Sequence, residues 1–287
     1  MHIKIQKEKR KMKKLLAILM AAVTVSGFAA CAAPAAVEPA AGEEPVELIV
    51  FAAASMTETL NRIAEMYKTA APNVTLTYNF DSSGTLKTQI QEGAECDLFI
   101  SAGQKQMDQL DITADPEVNT EKLDFVLEGT RMDLLENRVV LCVPDAKDIA
   151  SFDDLAEKLK EGSVLMAMGN SDVPVGQYTR KILAFYGLDE EELAKNGVIT
   201  YGSNVKEVTT QVTEASVDCG VIYCTDAFSA GLTPVDYATK EMCGQVIYPA
   251  AVIKTGRNQE AAGKFLAYLR TDDAMKVFEA AGFAPAA

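Results

Sequence analysis

ELIVFAAASMTETLNRIAEMYKTA, residues 47–70, is the stretch that decides the fold. Its first third is a short apolar run that predicts a buried strand over residues 47–54. The remainder, residues 55–70, predicts a helix because apolar side chains recur at helical spacing. The next segment, VTLTYNF at residues 74–80, alternates between polar and apolar residues as a strand does. A strand, a helix and a second strand in succession are typical of α/β proteins.

The same alternation continues along the chain. Helix-like segments separate short apolar strands predicted at residues 97–101, 139–143, 164–168, 198–201, 220–223 and 246–254. Two helices, over residues 259–269 and 273–281, finish it. We therefore expect an α/β fold with mostly parallel sheets. In such folds ligands bind at the carboxyl ends of strands, where helices begin.

The N-terminus has the pattern of an export signal. Seven Lys and Arg residues precede an apolar run over residues 15–30, which is too short for comfortable membrane spanning. The segment FAAC at residues 28–31 resembles a bacterial lipobox, in which Cys31 becomes the lipidated first residue of the mature chain. The alternative is an ordinary signal peptide with a chance cysteine. Residues 31–45 are rich in Ala, Pro and Glu and predict a flexible tether.

Charge and histidine content exclude several functional classes. The chain has 27 basic and 41 acidic residues, and removal of residues 1–30 leaves 20 and 40. So acidic a chain is not expected to bind nucleic acid, whose phosphates require a basic face. The only histidine is His2, so the mature chain has no Ser-His or Cys-His pair and no HExxH zinc site.

The cysteines beyond Cys31 give no sign of a metal site. They form no C-x-x-C pair and are expected to be small buried residues, with one disulfide left open: Cys96, Cys142, Cys219, Cys224 and Cys243.

Three strand-to-helix junctions in the chain carry groups suited to an anion. In AAASMTE (residues 52–58), Ser55 opens a helix and is expected to form a capping box with Glu58. In DSSGT (residues 81–85), two serines and a glycine begin a helix. In NSDVPVGQY (residues 170–178), Pro174 suits the first helical position and leaves the Val175 N–H exposed.

Two further junctions complete the set. In GSNVKE (residues 202–207), Asn204 is a cap that leaves the Val205 N–H free, and VIYCTDA (residues 221–227) ends a strand on Tyr223, a hydroxyl donor. Taken singly, each junction is equally consistent with a helix cap, a polar turn or a core tyrosine. Together they supply helix N-termini and three hydroxyls without an obligatory Arg or Lys. Such neutral donors and dipoles can hold a dehydrated dianion.

These junctions lie in segments that resemble a known family. The segments are VFAAASMTETL (50–60), FDSSGTLKTQIQEG (80–93), DLFISAGQKQMD (97–108), VPVGQYTRKIL (173–183), GVIYCTDA (220–227) and VIYPAAVIK (246–254). In this order they resemble the molybdate-binding proteins of bacterial molybdate ABC importers, over about residues 46–287. The resemblance departs at Gly84, where Ser is frequent, and at Val175, where Ala is frequent. It is poor over residues 103–138.

The resemblance implies a fold and a site. The fold is a two-lobed type II periplasmic-binding-protein fold, each lobe a mostly parallel sheet flanked by helices, with the ligand in the cleft. Lobe I would comprise residues 46–141 plus 249–287, and lobe II residues 142–248, after a signal peptide (1–30) and a tether (31–45). The oxyanion ligands would be the hydroxyls of Ser55, Ser83 and Tyr223 and the backbone N–H groups of Ser55, Ser83, Val175 and Val205.

The implied function is capture of molybdate, and of tungstate, outside the cytoplasmic membrane. The protein would be a lipid-anchored monomer without a cofactor or cation site, and it would deliver the anion to an ABC permease. Two alternatives remain: a binder of sulfate, phosphate or an organic anion on the same fold, and a serine hydrolase. No Arg stands at a junction to bind a carboxylate. Neither Ser55 nor Ser83 has a histidine partner or an S-x-x-K motif, so no enzyme is expected.

Overall fold

The computed structural model describes residues 44–144 and 148–286. The predicted signal peptide, Cys31 and nearly all of the predicted tether lie outside the described residues. Within the described part of the chain, no helix combines the length and the apolar character needed to cross a bilayer.

Two sheets organise the described chain. The first has the order β11-β4-β10-β3-β1-β2 and contains β1 (Val46–Ala53), β2 (Val74–Asp81), β3 (Leu98–Ile100), β4 (Met132–Asn137), β10 (Val246–Val252) and β11 (Ala284–Pro285). The second has the order β7-β6-β8-β5-β9 and contains β5 (Val139–Cys142), β6 (Met166–Gly169), β7 (Ile199–Gly202), β8 (Cys219–Tyr223) and β9 (Asp236–Tyr237). From here on, lobe I and lobe II denote these two sheets with their helices.

Helices follow most strands, as the alternation predicted. They are α1 (Thr57–Ala70), α2 (Ser83–Gln91), α3 (Gln104–Asp108), α4 (Phe152–Glu161), α5 (Pro174–Phe185), α6 (Glu190–Lys195), α7 (Val205–Thr213), α8 (Cys224–Ser229), α9 (Lys240–Cys243), α10 (Gln259–Tyr268) and α11 (Asp272–Ala280). A 3₁₀ turn, Ala54–Met56, separates β1 from α1. Helix α1 buries Leu60, Ile63 and Tyr67 on one face, the stripe of an amphipathic helix.

The two sheets are mixed, which corrects the expectation that they are mostly parallel. The strands β1, β2 and β3 pair in parallel, as do β6, β7 and β8. Antiparallel pairs join β10 to β3 and β4, β11 to β4, and β5 to β8 and β9. The reason is topological: β4, β5 and β10 carry the chain between the lobes, and they enter each sheet without the crossover helix that a parallel neighbour needs.

The chain changes sheet earlier than the lobe boundaries expected from the sequence. Strand β4 ends at Asn137 in lobe I and β5 begins at Val139 in lobe II, so Arg138 is the first crossing. On the return, the chain re-enters lobe I at Val246, and Pro249 lies inside β10 at a shift of register. Proline is tolerated in a sheet at such an irregularity, so Pro249 does not mark a domain boundary.

Hydrophobic side chains cover both faces of lobe I. Along β1, Leu48 and Val50 belong to the main core, which extends into lobe II, whereas Phe51 packs on the opposite face with Leu86 and Phe99. This alternation follows from the two-residue period of a strand. Because both faces are covered, the exposed carboxyl ends of the strands are where polar groups can gather.

Candidate functional site

Ser55 lies at the end of β1 but does not cap a helix. It sits in the 3₁₀ turn, and α1 begins two residues later with Met56 at its N-cap and no side-chain cap hydrogen bond. The predicted capping box with Glu58 is therefore wrong, because the extra turn moves the serine away from the first helical N–H groups. The buried Ser55 Oγ instead lies 2.9 Å from Tyr248 Oη.

Ser82 and Ser83 form different hydrogen bonds at the start of α2. The Ser82 Oγ caps the helix by accepting from the Thr85 N–H at 3.1 Å. Ser83 is fully buried, and its Oγ accepts from the Ala102 N–H at 2.9 Å. The hydroxyl proton of Ser83 is not used in that bond and can be donated to a ligand.

Val175 and Val205 occupy the first turns of α5 and α7 in lobe II. Helix α5 has no side-chain cap and begins with Pro174, as predicted, so Val175 carries its first N–H group. In α7 the Asn204 side chain accepts from the Glu207 N–H at 3.1 Å, which leaves the Val205 N–H outside the cap. First-turn N–H groups have no acceptor within their helix, and they lie at the positive end of its dipole.

Tyr223 ends β8 and is almost completely buried. Its hydroxyl donates to the Ala102 carbonyl at 3.2 Å. Burial, followed by the neighbouring Tyr248, raises the Tyr223 pKa well above its ordinary value. The hydroxyl therefore stays protonated and remains a donor, which could turn from the carbonyl to a ligand.

Tyr248 orients Ser55, and the sequence did not identify it as a site residue. Its Oη accepts a hydrogen bond from Asn137 Nδ2 at 3.1 Å and can donate its own hydrogen bond to Ser55 Oγ. The Ser55 proton is then available to a third group. Tyr248 also packs edge-on against Tyr223, with 5.6 Å between ring centroids. One sequence signal could have revealed Tyr248: it is the only tyrosine in β10, whose other residues are aliphatic or proline.

Contacts across the lobes lie at or beside the predicted residues. Ala102 joins two of them, since its N–H binds Ser83 of lobe I and its carbonyl binds Tyr223 of lobe II. The Gly84 N–H donates to the Asp172 carbonyl at 3.1 Å and so ties the start of α2 to the loop before α5. All five residues are at most 4% exposed, so the lobes are closed over them.

Lys206 and Asp226 lie beside this interface and were also missed. Lys206 follows Val205, and its Nζ contacts Glu58 of lobe I at 2.9 Å and Asp226 Oδ1 at 3.4 Å. The second contact has an ion-pair distance but not hydrogen-bond geometry, and neither Asp226 oxygen has a hydrogen-bond partner among the described residues. Burial raises the pKa of Asp226 to about 7 despite the opposing effect of Lys206. The positive charge of Lys206 therefore interacts with the carboxylates of Glu58 and Asp226.

Whether the described residues could hold a cation near the site depends on how their ligating side chains are grouped. Over residues 44–144 and 148–286 there is no cluster of three His, Cys, Asp or Glu side chains that could hold a metal ion. The cysteines left open by the sequence are all free thiols: Cys96, Cys142, Cys219, Cys224 and Cys243. What the interface offers is hydroxyl and amide donors, which suit a small anion.

Comparisons with known proteins identify relatives of this chain. The chain is 34% identical over 245 residues to YvgL of Bacillus subtilis, provisionally named as an ABC transporter substrate-binding lipoprotein, covering 84% of this chain and 87% of the relative. It is 32% identical over 243 residues to the molybdate-binding protein ModA of Haemophilus influenzae, covering 83% and 89%.

One solved structure and a family model show the fold and the family of this chain. The periplasmic molybdate-binding protein of Azotobacter vinelandii superposes with a TM-score of 0.70 at 21% identity, over 84% of this chain and all of that one, which establishes the fold. The model of the bacterial extracellular solute-binding proteins matches residues 48–284. The chain therefore belongs to the bacterial extracellular solute-binding protein family, whose members serve transporters and are not enzymes.

Proposed function

We propose that this protein captures molybdate, and also tungstate, for delivery to the permease of an ABC importer. The observation that carries the proposal is the set of neutral donors at the closed interface, drawn from both lobes. Ser55 and Ser83 come from lobe I, and Val175, Val205 and Tyr223 come from lobe II. A dianion bridging these donors would favour the closed arrangement, because it can contact all of them only there.

The chemistry of the donors favours a fully ionised tetrahedral anion. Molybdate and tungstate are deprotonated at neutral pH and present only acceptors, whereas the five residues offer hydroxyl protons and amide N–H groups. The chain's net charge of −14 disfavours an anionic ligand. Helix N-termini offset this with a local positive potential. The likeness to ModA, 32% identical, supports the same ligand.

Calorimetric titration of residues 32–287 with molybdate, tungstate, sulfate and phosphate tests the proposal. We expect tight one-to-one binding of the first two anions and none of the others. Tighter binding of sulfate or phosphate would leave the family assignment intact and overturn the ligand. Binding of none of the four would overturn the oxyanion proposal and direct attention to organic ligands.

Two neighbouring serines provide a matched pair of variants. Ser83→Ala removes a proposed hydrogen bond to the charged ligand, which costs about 1.5–3 kcal/mol, or about 10- to 150-fold in Kd. Ser82→Ala removes the cap of α2 and the 2.8 Å hydrogen bond between Ser82 Oγ and Thr85 Oγ1, so it should lower the unfolding free energy by about 1 kcal/mol and leave the Kd unchanged. Equal losses of affinity in both variants would contradict a direct role for Ser83.

Cys31 is proposed as the lipidation site that holds the protein at the outer face of the cytoplasmic membrane. The motif at residues 28–31 carries this proposal, and the name of YvgL supports it. Mass spectrometry of the mature N-terminus should find a diacylglyceryl group on Cys31. A Cys31→Ser variant should be released from the membrane fraction. An unmodified N-terminus at any other residue would contradict the anchor.

A further inference from the structure

A cavity lies between the lobes, next to the proposed oxyanion site. It has a volume of about 500 Å³. Lobe I contributes the segment from Gly103 to Lys105 at the start of α3, and lobe II contributes Gln177, Tyr178 and Lys181 of α5. Because the two walls belong to different lobes, the cavity changes shape whenever the lobes open or close.

This cavity adjoins the proposed site through three structural connections. Gly103 follows Ala102, the residue that binds both Ser83 and Tyr223. The Tyr178 ring packs edge-on against Tyr223, with 6.4 Å between centroids. Ile247, which also lines the cavity, precedes Tyr248. The cavity is therefore linked to the proposed site by two chain neighbours and one ring contact.

The charge of the lining is unusual for so acidic a protein. Among the described residues, three cations line the cavity, Lys105, Arg180 and Lys181, and no carboxylate does. Arg180 is paired with Glu190. Within the described residues, Lys105 and Lys181 form no ion pair, and the Lys181 Nζ lies 5.4 Å from the centre of the Tyr178 ring.

Glutamines of the lining contact two acids that do not themselves line the cavity. Gln245 of the lining donates to Glu136, and Gln104 approaches Asp133 at 3.4 Å. Glu136 also pairs with Lys240 at 3.7 Å. The two unpaired lysines thus line the cavity from opposite lobes.

We propose that this cavity, which we call the lysine vestibule, is a capture site where the incoming dianion is held weakly before it passes to the closed site. The proposal rests on the proposed function, since it needs an anionic ligand. The overall charge of the protein repels such a ligand at long range. A cleft with one sign of charge concentrates the opposite ion locally and raises association rates, an effect that salt screens.

Stopped-flow measurement of molybdate association tests the vestibule. The signal is tyrosine fluorescence, because the chain has nine Tyr and no Trp. We compare the parent chain, residues 32–287, with K105Q/K181Q and with the control K122Q/K195Q. The control makes the same change of charge with one lysine from each lobe, and neither lysine lines the vestibule.

We expect K105Q/K181Q to associate about tenfold more slowly at low salt, with a shallower dependence of the rate on NaCl and an unchanged dissociation rate. The control should lose less than about half of the rate. Equal rates in the two double variants would overturn the proposal, as would an effect confined to dissociation, which would assign the lysines to holding the lobes closed. Absence of molybdate binding to the parent would instead overturn the proposed function.

Discussion

Gly84→Ala is the sharpest perturbation of lobe closure that the structure offers. A Cβ built on Gly84 would lie 2.2 Å from the Asp172 carbonyl oxygen and 2.8 Å from its carbonyl carbon, where ordinary contact begins at 3.4 Å. The atoms in the way are mostly backbone, so no side-chain rotation relieves the clash. The loop before α5 must move outward, and the 3.1 Å hydrogen bond from the Gly84 N–H to Asp172 is broken or stretched.

The cost in affinity follows from what moves with that loop. Asp172 lies three residues before Val175, whose N–H is a proposed ligand donor. Loss of one hydrogen bond to a charged ligand costs about 1.5–3 kcal/mol, or about 10- to 150-fold in Kd. Titration calorimetry with molybdate measures that loss. Small-angle scattering of the ligand-saturated protein should show a larger radius of gyration than for the parent.

Gly263→Ala is the matched control for this experiment. Gly263 lies within α10, and a Cβ there meets no atom within 4 Å, so the variant should bind like the parent and be slightly more stable. A Gly84→Ala protein that binds with parental affinity and closes fully would refute the reasoning. It would mean that the Asp172 loop yields without disturbing the donors at the start of α5.

Three further predictions concern the polar groups around the site. Lys206→Met removes the cross-lobe ion pair with the half-exposed Glu58, which is worth about 0.2–1 kcal/mol. Calorimetry should therefore show that the affinity for molybdate falls at most about fivefold at low salt and is unchanged at high salt. A loss of affinity that does not depend on salt would contradict an electrostatic role for Lys206. Tyr248→Phe removes the partner of Ser55 and should lower the unfolding free energy in urea by about 1 kcal/mol, and an unchanged midpoint would count against that hydrogen bond. The pKa of Asp226 is about 7 in the folded protein and about 4 in the unfolded chain. Its contribution to stability therefore falls as the pH rises from about 4 to about 7, and it is constant above pH 7. Asp226→Asn should abolish that fall in urea titrations from pH 4 to 8, and a parallel pH profile in both proteins would contradict it.

The sequence predicted most of the α/β order because its strands are marked by local patterns. Residues 47–54 and 74–80 became β1 and β2 with small shifts at their ends. Strand β4 was not predicted, since MDLLEN at residues 132–137 mixes acids with leucines and lacks a clear strand pattern. The mixed pairing of the sheets also escaped prediction, because strand direction depends on how the chain crosses between lobes, which local periodicity does not encode.

The helix starts of the candidate site were predictable from the sequence, and its long-range contacts were not. Asn204 and Pro174 begin their helices as expected, since caps act over three or four residues. The contact of Ser55 with Tyr248 joins residues 193 positions apart, and that of Glu58 with Lys206 joins residues 148 apart. No sequence pattern relates such pairs, so the roles of Tyr248 and Lys206 emerged only from the fold.

The central claim is that one dianion is enclosed by donors from both lobes. A crystal structure of the chain grown with tungstate, with anomalous data at the tungsten edge, tests it most directly. The account predicts a single tungsten peak whose oxygens lie about 2.6–3.1 Å from the hydroxyls of Ser55, Ser83 and Tyr223 and the amides of Val175 and Val205. A fully occupied peak at any other place, with these five groups bonded only to protein, would contradict it.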